Sequence, residues 1–195
     1  MARHSFNNGR AVFTSQHDQK KEVLRSGSLE VLSRLEGFLR ALPSGAYARS
    51  LSEQGSTIGD HMRHIANHYD LILGALEGKQ SRIDLIARNR MDRIATDHRE
   101  ALRRVQSYRE RIEGMEMPDL ERLLYVRDQD DMHSDPQELP QCAGALMREK
   151  LSQHSIHHLA VMYQMAIQLD KGFRYAASHT NAFSTPAQPQ ARTPK

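Results

Sequence analysis

Four segments of the sequence repeat apolar residues at spacings of three and four, and no other feature restricts the fold as strongly. This spacing places the apolar side chains on one face of an α-helix. The predicted helices cover about residues 17–42, 57–77, 92–113 and 142–170. Residues that commonly stop a helix follow each of them: Pro43, Gly78, Gly114 and Gly172. Because no convincing series of strands accompanies these patterns, the sequence predicts an all-α four-helix bundle.

The segments outside the helical patterns define the predicted domain organisation. In the connection 114–140, the stretch Leu123 to Val126 is the one candidate for a small strand. Residues 1–15 lack periodicity, and residues 178–195 combine proline with Ser, Thr, Gln and Ala, a composition that cannot bury enough apolar surface to fold. We therefore predict a flexible leader at 1–15, one bundle domain at 16–177 and a disordered tail at 178–195.

Composition excludes several classes of protein. No apolar run is long enough for a transmembrane helix, and the first residues lack the apolar segment of a secretory signal. The single cysteine, Cys142, cannot form an internal disulfide, so we expect a cytoplasmic protein. The formal net charge is only +3, aromatic residues make up 6% and tryptophan is absent. These values argue against a nucleic-acid-binding protein.

Histidine is unevenly distributed along the chain. Six of the eleven histidines fall in two short windows that together contain thirteen residues. The second predicted helix carries His61, His64 and His68, and the fourth carries His154, His157 and His158. Single core-facing histidines usually have a packing role, but three on each of two helices favour a metal site.

The fourth helix offers the clearest pair of metal ligands. His154 and His158 are four residues apart, so their side chains lie about 40° apart around the helix axis. Both interrupt the apolar stripe that continues through Leu151 and Val161. We therefore expect both imidazoles to face the bundle interior, where neutral imidazoles can bind a divalent metal and a facing helix can supply a third ligand.

The second helix leaves its contribution open. His61 and His68 lie about 60–80° from the centre of the apolar stripe, and His64 lies about 120° from it. All three share one flank, so any of them could be the third ligand. His98, on a core-facing position of the third predicted helix, is a reserve candidate. The pattern is not HExxH, so it does not indicate a metalloprotease.

These residues, in this order, resemble the DinB/YfiT-like superfamily. The opening of the second helix, Thr57-Ile58-Gly59 followed by His64, is similar to the family's pattern, and so is Glu149 followed by His154, His157 and His158. One subgroup resembles the chain over about residues 25–180, with Ser56 before the opening and Arg63 between the histidines. The chain departs from that subgroup at Ile83-Asp84-Leu85 and at Ser155, neither of which is a proposed ligand.

The resemblance implies a fold, a metal site and a chemistry. The fold is a four-helix bundle with an up-down-down-up course. The metal ligands are His64, His154 and His158, with His61 and His68 kept as alternatives to His64. Characterised relatives include thiol-dependent transferases, which implies a Zn²⁺ or Ni²⁺ ion that activates a low-molecular-weight thiol. The resemblance thus favours a metal-dependent transferase or hydrolase, and the alternative is a non-catalytic metal-binding stress-response bundle.

The expected partners follow from this hypothesis. We expect a small-molecule substrate, for which a thiol is one candidate. We expect neither a membrane nor a nucleic acid as partner, and a homodimer is a possible assembly. Arg63, Arg88 and Arg90 are candidates to hold an anionic substrate, although the alternative of plain surface arginines carries more weight. Affinity for the metal should fall as acid protonates the imidazoles.

Overall fold

The structure, a computed structural model, describes residues 15–53, 55–87, 93–128 and 135–175. Helix α1 spans Gln16–Ala41, α2 spans Ile58–Leu76 and α3 spans His98–Gly114. The fourth helix, α4, runs without interruption through three segments, Ala143–Leu146, Met147–His154 and Ser155–Leu169. Strands β1 (Arg82–Asp84), β2 (Leu123–Asp128) and β3 (Gln137–Cys142) complete the regular structure.

Side-chain caps fix where the first three helices begin. Ser15 and Asp18 form a capping box at α1, and Thr57 and Asp60 form another at α2. In each box, a hydroxyl accepts from a backbone amide while a carboxylate accepts from the N-cap amide, which satisfies two groups that the helix leaves unpaired. The caps account for the agreement between the predicted and observed starts of α1 and α2.

The predicted start of the third helix near residue 92 is wrong. The carboxylate of Asp97 accepts from the amides of Arg99 and Glu100, at 3.0 and 3.1 Å, and so caps a helix that begins at His98. Residues Arg93–Ala95 form a separate 3₁₀ turn that buries Ile94. The buried Ile94 is spaced from the apolar residues of α3 as a residue on the same helical face would be. The sequence pattern therefore predicted one continuous helix where the structure has a turn followed by a helix.

Helix α4 is irregular up to and including the first histidine of its pair. Met147–His154 is π-helical, whereas the flanking segments are α-helical. The hydroxyl of Tyr69, on α2, donates to the carbonyl of Leu151 over 2.8 Å. A donor from outside a helix that binds a mid-helix carbonyl disturbs the regular hydrogen bonds of that helix. Local π-helical turns occur at such disturbances and are often found at functional sites.

The helices share one apolar core. Helices α1 and α2 each pack against both α3 and α4. Fully buried residues come from every helix, for example Leu35, Tyr69, Val105 and Leu159. A helical class is therefore confirmed, and the four-helix bundle with an up-down-down-up course stays a prediction.

A small sheet requires a correction to the all-α prediction. Strand β1 pairs in parallel with β2, with Ile83 opposite Val126, and β2 pairs antiparallel with β3, with Leu124 opposite Gln141. Ile83, Leu124 and Val126 are buried in the same core as the helices. The candidate strand at Leu123 to Val126 is confirmed, and the sequence patterns missed its two partners because β1 is three residues long and β3 is a largely exposed strand.

The predicted leader and tail fall almost wholly outside the described residues, which begin at Ser15 and end at Tyr175. Both stay predictions. Among the helices that the structure does describe, none combines the length and the apolar character needed to cross a membrane.

Candidate metal centre

Five histidines from two helices meet in one cluster. Helix α2 contributes His61, His64 and His68, which lie three and four residues apart on one side of the helix, and α4 contributes His154 and His158. The rings form a continuous set of contacts, with centroid separations between 4.5 and 5.1 Å. The two histidine-rich windows of the sequence are therefore adjacent in space.

Three of these rings direct nitrogen atoms at a common point. Nε2 of His154 lies 2.8 Å from Nε2 of His64 and 3.1 Å from Nε2 of His158. One ligand atom from each of the three residues lies within 4.8 Å of the others. Ligands on a tetrahedral zinc with bonds of 2.0–2.1 Å are about 3.3 Å apart, so small ring movements would seat an ion.

These three are the residues that the resemblance names as ligands, and the donor set suits a divalent metal. Imidazole nitrogen is a good ligand for both Zn²⁺ and Ni²⁺. The structure therefore brings His64, His154 and His158 within metal-binding distance, and their binding of a metal stays a prediction.

The two alternatives in α2 occupy different places in the cluster. His61 approaches His158 from the other side of the ring, with Nδ1 of each ring 2.9 Å apart. His68 is buried, stacks on His154 at 4.6 Å with an interplanar angle of 27°, and its Nδ1 has no hydrogen-bond partner among the described residues. Neither joins the group of three nitrogen atoms.

Burial lowers the pKa of several rings of the cluster. Burial, together with the neighbouring imidazoles of His154 and His64, lowers the pKa of His158 to about 3. Burial and the nearby ammonium of Lys150 lower the pKa of His154 to about 4. Burial also lowers the pKa of His61, against the opposing effect of the Asp60 carboxylate. At neutral pH these rings are uncharged, which is the form that binds a metal.

A cavity of about 240 Å³ opens onto the cluster. Its wall carries a pair of opposite charges, because Nη2 of Arg63 lies 3.1 Å from Oδ1 of Asp60. The other oxygen of Asp60 is occupied by the cap of α2, so this carboxylate holds the guanidinium at the cavity wall. The cavity is lined by Ser56, Asp60, His61, Arg63, His64, Asn67 and His158.

Sequence reasoning missed Asn67 as a cavity residue. It lies four residues after Arg63 and three after His64, so helical spacing places all three on one side of α2. A search of that side for polar residues would have found it.

The other described candidate residues do not join the three converging nitrogens. His98 stacks on Tyr47, and its Nε2 lies 2.9 Å from the carbonyl of Leu39, so the reserve candidate has a packing role. His157 is exposed. Glu149 pairs with Arg148 at 3.6 Å, and Cys142 is a half-buried residue at the N-cap of α4. Arg88 and Arg90 lie outside the described residues.

No family model matches the chain, and no curated protein matches it. The site is therefore characterised by its own geometry: three imidazole nitrogens, supplied by two packed helices, beside an open cavity with one oriented guanidinium.

Proposed function

We propose that the chain is a metal-dependent enzyme of the DinB-like kind, with a divalent ion held by His64, His154 and His158. The reaction class is transferase or hydrolase, the substrate is a small molecule, and a low-molecular-weight thiol is a candidate co-substrate. The observation that carries the proposal is the meeting of three ring nitrogens next to a cavity of about 240 Å³. Zn²⁺ and Ni²⁺ are the ions that this donor set favours.

The number of ligands favours catalysis over a structural role. Structural zinc sites are closed by four protein ligands, whereas catalytic sites keep a position for water or substrate. Among the described residues, no cysteine or carboxylate joins the three histidine nitrogens. When bound, such an ion lowers the pKa of a water or thiol that occupies its free position.

The chain's own residues provide the rest of the site. The half-buried rings of His154 and His158 are neutral at pH 7 because their pKa values are lowered, and neutral ligands leave the ion its full positive charge. Arg63, oriented by Asp60, adds a guanidinium at the cavity wall, which is suited to a carboxylate or phosphate group. Together these charges favour an anionic substrate.

Metal analysis of the purified protein tests the proposal. We expect about one divalent ion per chain in the wild-type protein, and a loss of most of it in His154→Ala, because that ring supplies the nitrogen shared by both short contacts. The matched control is His157→Ala, which removes an exposed ring from the same helix and should retain the metal. Equal metal content in wild type and His154→Ala would contradict the proposed site.

A further inference from the structure

The imidazole of His158 has a different neighbour at each of its two nitrogens. Nε2 lies 3.1 Å from Nε2 of His154, on the side of the three converging nitrogens. Nδ1 lies 2.9 Å from Nδ1 of His61, which is in the first turns of α2. The two nitrogens of an imidazole are separated by Cε1 and point in widely different directions in the ring plane, so His61 and the three converging nitrogens contact His158 at different positions.

This arrangement determines the tautomers. A neutral imidazole carries one proton, and a nitrogen that binds a metal cannot carry it. If Nε2 of His158 holds the ion, its proton is on Nδ1 and is directed at the neighbour at 2.9 Å, the Nδ1 of His61. That atom accepts when the proton of His61 is on its own Nε2.

We propose that His61 is the positioning residue that orients His158 for metal binding. The inference rests on the proposed function, because it assigns a role to a second group at the same site. Metal-bound histidines usually donate their other N–H to a carboxylate or a carbonyl, which fixes the tautomer and the ring orientation. Here an imidazole takes that place, and the nearby carboxylate of Asp60 is engaged by the cap of α2 and by Arg63.

Three variants test this role through zinc affinity, measured by competition with a chromophoric chelator. His61→Ala removes the acceptor, and we expect about 10- to 100-fold weaker zinc binding. His61→Asn places an amide oxygen near the position of Nδ1 and should restore most of the affinity. The control, His157→Ala, should bind zinc as the wild type does. Equal zinc affinity in wild type and His61→Ala would overturn the inference.

A spectroscopic measurement does not depend on the variants folding. Nitrogen-15 NMR of histidine-labelled wild-type protein loaded with zinc reports the tautomer of each ring. We expect zinc on Nε2 of His158 and a proton on Nδ1, with a proton on Nε2 of His61. Zinc on Nδ1 of His158 would overturn the inference while leaving the metal site intact. A wild-type protein that binds no zinc would instead contradict the proposed function itself.

Discussion

His68 is buried, whereas the other four histidines of the cluster are half-buried. Its Nδ1 has no hydrogen-bond partner among the described residues, and its ring stacks on His154. Burial, together with the rings of His64 and His154, lowers the pKa of His68 to about 2. This residue therefore resists protonation in the folded chain and gains a proton readily on unfolding.

The metal-free protein should accordingly lose stability in acid. Below a pH of about 6.5, which is the pKa of an unfolded histidine, His68 of the unfolded chain is protonated. In the folded chain His68 stays neutral until its own, lower pKa is reached, so the free energy of unfolding decreases as the pH is lowered. By pH 5 this costs about 2 kcal/mol for His68. Urea unfolding of chelated protein between pH 7 and pH 5 measures how steeply the free energy of unfolding depends on pH. In His68→Leu this slope should correspond to about one proton fewer taken up on unfolding.

A core substitution without a titratable group is the control for that experiment. Met62→Leu, at another buried position of α2, should shift the whole stability curve without changing its slope. A His68→Leu protein that keeps the wild-type slope would show that His68 is not a source of acid sensitivity. Because the pKa values of His154 and His158 are also lowered, the predicted fall of metal affinity in acid should occur at lower pH than for exposed histidines.

The residues of the candidate site were predictable from spacing only up to a point. The positions of His154 and His158 on an apolar stripe indicated that both rings face the interior, and the structure places them there. Spacing could not distinguish His61, His64 and His68, because all three reach the same cluster. Which nitrogen faces which depends on side-chain rotamers and on the approach of two helices, and neither quantity is contained in a helical pattern.

At the scale of elements, the start of α2 is held by a close backbone contact. A Cβ atom at Gly59 would lie 1.9 Å from the carbonyl oxygen of Ala95, in the 3₁₀ turn before α3. The amide of Gly59 also donates to the carbonyl of Tyr47 over 3.0 Å. The glycine of the Thr57-Ile58-Gly59 motif is thus required for packing, and it positions the helix that carries His61 and His64.

We therefore expect Gly59→Ala to be destabilising by about 1–3 kcal/mol, the usual cost of overpacking, with a weaker affinity for zinc because the start of α2 must move. The matched control is Gly27→Ala in the interior of α1, where an added Cβ meets nothing within 4 Å. That variant should gain about 0.5–1 kcal/mol from helix propensity. Urea unfolding measures both; a Gly59→Ala protein as stable as Gly27→Ala would contradict the packing argument.

Element boundaries were predictable where a local side-chain signal exists. Thr57 and Asp60 identify the start of α2, and Gly78 follows its end. The π-helical segment of α4 has no such signal, and the hydrogen bond from Tyr69 to Leu151 that accompanies it is a contact between helices. Strand β3 was missed for a related reason: its pairing with β2 is a long-range backbone contact, and its sequence, which includes Pro140, lacks an alternating pattern.

At the scale of the whole molecule, the sheet and the helices close one core without help from the metal site. Buried residues from β1 and β2 join those of all four helices in a single apolar cluster. Helices α2 and α4, which carry the histidines, are already in contact. An ion between them would therefore connect two elements that packing has brought together, rather than create the fold.

Metal removal should consequently leave the helices folded. Chelation removes only the stabilisation due to binding, about 2.7 kcal/mol at a free metal concentration 100 times the dissociation constant, so circular dichroism at 25 °C should retain its helical signal while the melting temperature falls. The His154→Ala protein should not respond to chelator.

In the cobalt-substituted wild type, an added small thiol should change the visible spectrum by entering the open position. Unfolding on chelation would instead indicate a structural metal, and a spectrum unaffected by thiols would remove the thiol from the proposed reaction.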